Sequence, residues 1–371
     1  MIPVFEPVLR GNEKKYILDC LKSNWISAFG KYNERFEEGF AKYCNVKYGI
    51  GVTSGTAALH VAVASVGIKK GDEVIVPDFT MIAPALAVVY QGGKPIFVDA
   101  DQKTWTIDVN KIEEKITTRT RAIIPVHIYG HPCDMDPIME IAEKHNLYVI
   151  EDAAEAHGAL YKGKKAGSFG HINAFSFYTN KVITTGEGGM AVTDDRKLAE
   201  KAQSYRNFCF DRERRFIHDD IGFKYSLSNL LAAIGLAQLE YIEETIKKKI
   251  WVAKTYNKHL GKIRGITLPY ESKDVRNVYW MYGILIEDDF GISRDDVKKK
   301  LLEKGIDTRF FFTGMHKQPV FNQKGNQKGN FPISEQLEKK GLYFPSSTNL
   351  TERQIGHICN CIADIKNNSS K

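Results

Sequence analysis

Nowhere in these 371 residues is there an apolar run near the ~18 residues that would mark a membrane-spanning helix. The opening residues, MIPVFEPVLRGNEKKY, lack the basic-then-apolar order of a secretory signal. Cysteine is sparse and scattered: Cys20, Cys44, Cys133, Cys209, Cys359 and Cys361 form no CxxC pair and no framework spacing. A disulfide scaffold is thereby excluded, and a reduced, cytoplasmic protein without a membrane segment is expected. One-sided charge is also missing, since 52 basic residues face 45 acidic ones for a net +7. That dispersed excess suits an anionic small molecule and gives no footprint for nucleic acid. The lysine runs at 247–249 and 298–300 fall in helical patterns and read as solvated faces. There is no GxxxxGK[ST] loop, no GxGxxG, no repeat and no low-complexity segment; only the tail NNSSK reads as disordered.

What is present is ample core material, with 43% hydrophobic residues, in a chain long enough for two domains. Residues 12–45 read as two helices around the loop NWISAFGKY. Short β-rich runs then recur at 48–53, 73–77, 95–100, 121–129, 147–152, 173–177 and 190–194. Helical patterns separate most of them, at 56–67, 81–91, 109–116, 135–146 and 196–205. This alternation predicts an α/β protein with a mostly parallel sheet covered on both faces, whose ligands bind at the carboxyl ends of the strands. Residues 228–243 read as a buried or interface helix. Beyond them come a lysine-rich helix, strands at 280–286 and 307–312, helices at 293–304 and 352–365, and a long loop at 313–334. The expected division is an N-terminal arm and large domain over 1–244 and a smaller α+β domain over 245–371.

Three constellations carry chemistry. In GVTSGTAALH, Ser54-Gly55-Thr56 lies between a strand and a helix, where free N–H groups and the helix dipole suit a phosphate; a plain helix start has the same form. In VIEDAAEAHGA, Glu151 and Asp152 close a buried strand, and each carboxylate needs a partner there. An aspartate facing a protonated pyridine nitrogen has one, although a capping aspartate fits too. In AFSFYTNKVITTGEGGM, Lys181 sits between a strand and a turn containing Gly186, Gly188 and Gly189. A lysine held in that way suits Schiff-base chemistry, and a surface loop lysine reads the same. A fourth cluster, His127, His131, Cys133 and Asp134 in HIYGHPCD, has zinc-ligand residue types but no matching pair elsewhere, so no metal is assigned.

A phosphate-holding helix start, a strand-end aspartate and a glycine-flanked lysine together describe a pyridoxal 5'-phosphate site. With NWISAFGKY, SGTAALH, GDEVIVP, PVHIYGHPCDMDPI, EDAAEAHG, SFYTNKVITTGEGGM and AAIGLAQLE, the chain resembles the sugar aminotransferases of the DegT/DnrJ/EryC1/StrS family. The resemblance spans nearly the whole chain and is strongest to the GDP-perosamine synthase branch. It implies the type I aminotransferase fold, with a mostly parallel seven-stranded sheet in the large domain. It further implies transfer of an amino group from L-glutamate to a nucleotide-linked 4-keto-6-deoxy sugar for surface polysaccharide (O-antigen) synthesis. The assembly implied is a homodimer with shared active sites.

Carried over by residue, the resemblance makes Lys181 the Schiff-base lysine and Asp152 the partner of the pyridine nitrogen. Gly55, Thr56 and Ser176 hold the phosphate, and Glu155 lies near the phenolic oxygen. His316, in TGMHKQP, falls on a sugar-pocket position. Lys224 and Asn229, in GFKYSLSN, match the segment that reaches the neighbouring subunit's phosphate. Two departures stand out. Met81 replaces the aromatic residue that most of the branch stacks on the cofactor, and Lys224 and Ser226 replace an N-x-R pattern. Lysine at 224 is similar to the aminoarabinose-forming enzymes. Lysine at 181 favours amino transfer over the dehydration carried out by relatives with histidine there. A pyridoxal phosphate-binding regulator without turnover, and a zinc hydrolase built on His127, His131 and Cys133, are the competing readings. A UDP- or dTDP-linked keto sugar, at C4 or C3, is the competing substrate.

Overall fold

In chain order the strands of the first two-thirds are β1 (Tyr48–Val52), β2 (Glu73–Pro77), β3 (Lys94–Val98), β4 (Thr120–Ile123), β5 (Tyr148–Val149), β6 (Leu160–Tyr161), β7 (Lys164–Lys165), β8 (Asn173–Ser176) and β9 (Gly189–Thr193). This is a computed structural model, and it describes residues 1–211, 213–214, 216–322 and 329–369. Strands β3-β2-β4-β5 form a parallel sheet, and β8-β9-β1 form an antiparallel one. Asp152 joins the two by pairing in parallel with Val126 on one side and Ala174 on the other. Seven strands therefore run as one sheet, in which β9 alone is reversed. β2, β8 and β9 are buried along their whole length and β1 from Ile50 to Val52, as sheets covered on both faces require.

The helices are α1 (Glu13–Ser23), α2 (Lys31–Cys44), α3 (Gly55–Ser65), α4 (Ala83–Tyr90), α5 (Met135–Lys144), α6 (Arg196–Tyr205), α7 (Asn229–Leu239), α8 (Ile242–Leu260), α9 (Arg294–Glu303), α10 (Pro319–Asn322), α11 (Pro332–Lys340) and α12 (Glu352–Ser369). α3 is apolar all round because it is enclosed, with every residue from Ala57 to Ser65 buried. α7 packs on α1 and α2.

The final third contributes β10 (Ile266–Thr267), β11 (Val275–Arg276), β12 (Tyr282–Ile286), β13 (Arg309–Phe310) and β14 (Gly341–Phe344). Four of these form an antiparallel sheet in the order β10-β12-β14-β13, while β11 joins the β6-β7 hairpin. α8, α9 and α12 share a core with the four-stranded sheet through Val252, Tyr256, Ile284, Leu301, Phe344 and Ile358. The first residues cross to this sheet, where Ile2 pairs with Ile306 and Ser346 N–H donates to Val4 O at 2.9 Å.

The elements depart from the sequence pattern in a few places. The run at 121–129 is a strand only to Ile123, because Pro125 has no N–H for the ladder and Tyr129 turns the chain at φ 52°. Residues 109–116, with β-branched Val109, Ile112 and Ile116, form two 3-10 turns in place of an α-helix. The tail is helical through Ser369, its last turn tied by Lys366 Nζ to Asp289 O at 3.1 Å, while Ser370 and Lys371 lie outside the described residues. Of the loop expected at 313–334, residues 323–328 lie outside the described residues, and α10 and the start of α11 occupy part of the remainder. The lysine run at 247–249 is not uniformly solvated, since Lys249 is buried.

Candidate active site

A cleft of about 360 Å³ opens where the large sheet meets the second one. Its base is the amino end of α3, where Ser54 Oγ accepts the Ala57 N–H at 3.1 Å and so closes one of the free backbone donors. Gly55 and Thr56 line the cleft directly over that helix end. A Cβ on Gly55 would lie 2.6 Å from Ser176 Cβ and 3.0 Å from its hydroxyl, so only glycine lets the Ser176 hydroxyl sit against the helix start. Gly189 is equally constrained, because a Cβ there would come within 2.2 Å of Ser54 O. The result is a set of N–H groups, a hydroxyl and a helix dipole in one corner, which suits a phosphate.

Successive residues of a strand point to opposite faces, and this separates the two acids at the end of β5. Glu151, wholly buried, accepts from His127 Nε2 at 2.8 Å, Gly167 N at 2.7 Å, Phe169 N at 2.6 Å and Gly170 N at 2.8 Å. Burial opposes its ionisation, but His127 and these N–H groups hold it below the usual carboxylate value. Glu151 is a structural bolt. Asp152 turns into the cleft, 5% exposed, and its Oδ1 accepts a single N–H, from Ala154 at 3.0 Å. Burial pushes its carboxyl above the ordinary value, with Ala154 N–H and the Lys181 charge pulling the other way. A buried carboxylate so thinly partnered calls for a cation from the ligand.

Lys181 lies in the turn between β8 and β9, anchored by its N–H to Tyr178 O at 2.9 Å. Its Nζ is 3.7 Å from Glu155 Oε1 and 3.9 Å from the centroid of the Trp280 ring. Burial draws the amine below the ordinary lysine value against the pull of Glu155 and Asp152. Glu155 also accepts the Tyr129 N–H at 2.7 Å, and burial pushes its carboxyl up to about 7. A dry amine, a carboxyl poised near neutrality and a second buried acid thus converge in one cleft. Proton transfer to and from carbon needs such a combination.

The cleft gathers Lys181, Asp152, Glu155, Gly55, Thr56, Ser176 and Met81, the last 51% exposed. Three other residues singled out in the sequence stand elsewhere. His316 is held by Asp78, ring Nδ1 to Oδ2 at 2.7 Å and backbone N–H to Oδ1 at 2.8 Å, with its ring stacked on Phe331; it does not line the cleft. Asn229 is 1% exposed at the start of α7, where its Oδ1 accepts the Tyr32 N–H at 3.0 Å and its Nδ2 donates to Trp25 O at 2.7 Å. Lys224 has its amine 3.3 Å from Asn207 Oδ1. Asn229 borders a separate cavity of about 590 Å³ shared with Trp25, Phe29, Glu37 and Arg206. The HIYGHPCD cluster is committed to folding. Cys133 N–H donates to His127 Nδ1 at 3.0 Å, so the ring gives its own proton through Nε2 to Glu151. Among the described residues no group of three or more His, Cys, Asp or Glu side chains is arranged to hold a metal.

Trp280, Phe312 and Tyr343 also wall the cleft, and no motif announces them, because they arrive from around the second sheet through tertiary packing. Thr80 does so with a buried hydroxyl that has no hydrogen-bond partner. Tyr178, Asn180 and Glu187 line it as well, and they lie inside the Lys181 stretch itself, where the motif could have flagged them.

The chain is similar to known proteins over nearly its whole length. GDP-perosamine synthase of Escherichia coli O157:H7 is 45% identical over 97% of each chain. That of Caulobacter vibrioides is 44% identical over 96% of each. The crystal structure of S. venezuelae DesV in complex with a ketimine intermediate is 34% identical, with a TM-score of 0.90 over 96% of this chain and 94% of that one. The sequence pattern of the DegT/DnrJ/EryC1/StrS aminotransferase family matches residues 7–363. The chain belongs to that family and is a pyridoxal phosphate-dependent sugar-nucleotide aminotransferase.

Proposed function

We propose that the enzyme moves the amino group of L-glutamate to C4 of GDP-4-keto-6-deoxymannose, giving GDP-perosamine, and that it works as a homodimer. The observation that carries the catalytic part is the cleft in which Lys181 lies 3.7 Å from Glu155 with Asp152 alongside. The GDP-linked substrate is favoured by near full-length similarity to the perosamine synthases. Bound pyridoxal phosphate supplies a carbonyl for amines to condense with and a ring that withdraws electrons. The start of α3, with Gly55, Thr56 and Ser176, would hold the phosphate. Asp152 would partner the ring nitrogen and keep it protonated by offering a buried negative charge.

Lys181 works in both directions. Its amine, drawn below the ordinary lysine value by burial, takes the proton from Cα of the amino donor and delivers one to C4 of the sugar in the second half of the cycle. Delivery from a fixed Nζ to one face of C4 sets the configuration of the new amine. Glu155, 3.7 Å from the Lys181 amine, stabilises the protonated lysine between steps and would lie near the phenolic oxygen. Trp280 floors the lysine and excludes water from one side. Exposed Trp25, Ile26 and Phe29 beside the second cavity support the dimer, as solvent is a poor neighbour for such a patch. Lys224 is the residue proposed to reach the other copy's phosphate. Asn229 fits that role less well, since its amide is already satisfied within its own chain.

The test is to offer GDP-, UDP- and dTDP-4-keto-6-deoxy sugars with glutamate and to identify products by mass. Amination of the GDP substrate is expected to dominate kcat/KM. Preferred turnover of a UDP or dTDP substrate would transfer the assignment to that sugar.

A further inference from the structure

Lys249 is a buried lysine that the chemistry above does not use. It lies in α8 and is 2% exposed. Its Nζ donates to Trp280 O at 2.7 Å and to Ser346 O at 2.8 Å. Burial alone draws the amine down to about 7. Two carbonyl acceptors are what this side chain meets. Burying an amine is costly, and a methionine would fill a similar volume without that cost. That cost points to a purpose beyond filling space.

The partners of Lys249 indicate the purpose. Trp280 is the residue whose ring lies 3.9 Å beneath Lys181 Nζ. The same indole donates its Nε1–H at 2.7 Å to the backbone oxygen of Asn180, the residue preceding Lys181. Trp280 is therefore gripped at its main chain by Lys249 and grips the lysine turn with its side chain. Ser346, the second acceptor, receives the Tyr282 N–H on its hydroxyl at 2.9 Å, and its N–H binds Val4 O at 2.9 Å. One amine thus ties α8 to the segment entering β12 and the segment leaving β14, and Ser346 carries the link on to the N-terminal arm. Lys249 and Lys181 border the same narrow gap of about 20 Å³.

We propose that Lys249 is a positioning residue for catalysis: through Trp280 it fixes the height and the dryness of the Lys181 amine. This rests on Lys181 being the reacting amine. Loss of the grip lets Trp280 drift and admits water to Lys181, which misplaces the proton carrier.

The test compares Lys249→Met, Trp280→Phe (which keeps an aromatic ring, though a smaller one, and removes the N–H to Asn180) and the double variant in the full-length enzyme. Two quantities are measured. One is kcat and KM for the keto-sugar. The other is the pKa of the Lys181 amine in cofactor-free protein carrying reductively ¹³C-methylated lysines, its resonance assigned by loss in Lys181→Ala. The expectation for Lys249→Met is a kcat lowered about 10- to 100-fold, the scale of a small misplacement of a reacting group, with KM within about threefold. The Lys181 pKa should rise towards the ordinary lysine value. The double variant should fall little below the worse single one, because both changes act along one path. An unchanged Lys181 pKa, or effects that multiply independently in the double variant, would overturn the proposal. If Lys249→Met does not fold, Lys249→Gln, which keeps an N–H donor group on a shorter side chain, is read by the same two measurements. Full turnover by Lys181→Ala would show that the role given to Lys181 is wrong. Inactive Lys181→Ala beside unperturbed Lys249 variants would refute only the positioning role.

Discussion

Replacing Asp152 with asparagine isolates a single interaction. The two side chains have nearly the same shape, and the backbone N–H of Ala154 that Oδ1 accepts at 3.0 Å can be met by the amide oxygen, so the fold has little reason to respond. What disappears is the buried negative charge proposed to face the cofactor's ring nitrogen. Two unit charges about 4 Å apart interact by about 4 kcal/mol at an effective dielectric of about 20. At about 1.4 kcal/mol per factor of ten, kcat should fall by about 10²- to 10³-fold, allowing for partial compensation by solvent. KM for the keto-sugar should change little, because the charge bears on the ring and not on the sugar. Rapid-mixing measurement of the donor half-reaction, followed by the cofactor's absorbance, reads the effect directly. A folded Asp152→Asn enzyme whose half-reaction runs within about threefold of wild type would refute the assignment of Asp152 as the charge partner.

Three further outcomes follow from the same geometry. Gly55→Ala places a Cβ 2.6 Å from Ser176 Cβ; the forced separation should cost about 1–3 kcal/mol and weaken cofactor binding about 5- to 150-fold by equilibrium dialysis, with global stability less affected. Glu155 holds its proton more tightly folded, with a value of about 7, than unfolded, near 4.5; in cofactor-free protein the Tm of wild type relative to Glu155→Gln should therefore fall as pH rises from about 4.5 to about 7 and level off above that, and a pH-independent difference would contradict it. Asn229→Ala leaves the Tyr32 N–H and Trp25 O without partners beneath α2, and chemical denaturation should register a loss of about 2–4 kcal/mol, with the intrinsic absorbance of the bound cofactor retained.

Much of the large domain was legible because local signals and tertiary demand agree there. Alternating apolar runs and amphipathic helices required a doubly covered sheet, and Asp152 and Lys181 fell at strand ends, where such a sheet binds ligands. The reversed strand β9 was not legible, since strand direction leaves no trace in a short buried run. Nor were the distinct fates of Glu151 and Asp152, which the residue types alone leave equivalent; the pleat, together with His127 and three backbone N–H groups, decides between them. Lys249 illustrates the limit from the other side. Three consecutive lysines at helical spacing read as solvated, yet the helix turns the third one inward, where two carbonyls from segments far along the chain wait for it. Trp280 and Tyr343 were invisible for the same reason: they enter the cleft only once the second sheet has formed, and β14, which presents Tyr343, lies in a stretch with no strand signature of its own. The resemblance located His316 in the family's motif, but the local structure gives its ring to Asp78.

The central claim is that Lys181 is the amine on which the reaction turns. Reduction of the yellow holoenzyme with borohydride, proteolysis and peptide mass spectrometry test it most directly. The account predicts a phosphopyridoxyl group on the peptide containing Lys181 and on no other lysine, with both the label and the turnover lost in Lys181→Ala. A label on a different lysine, or full turnover in Lys181→Ala, would contradict it.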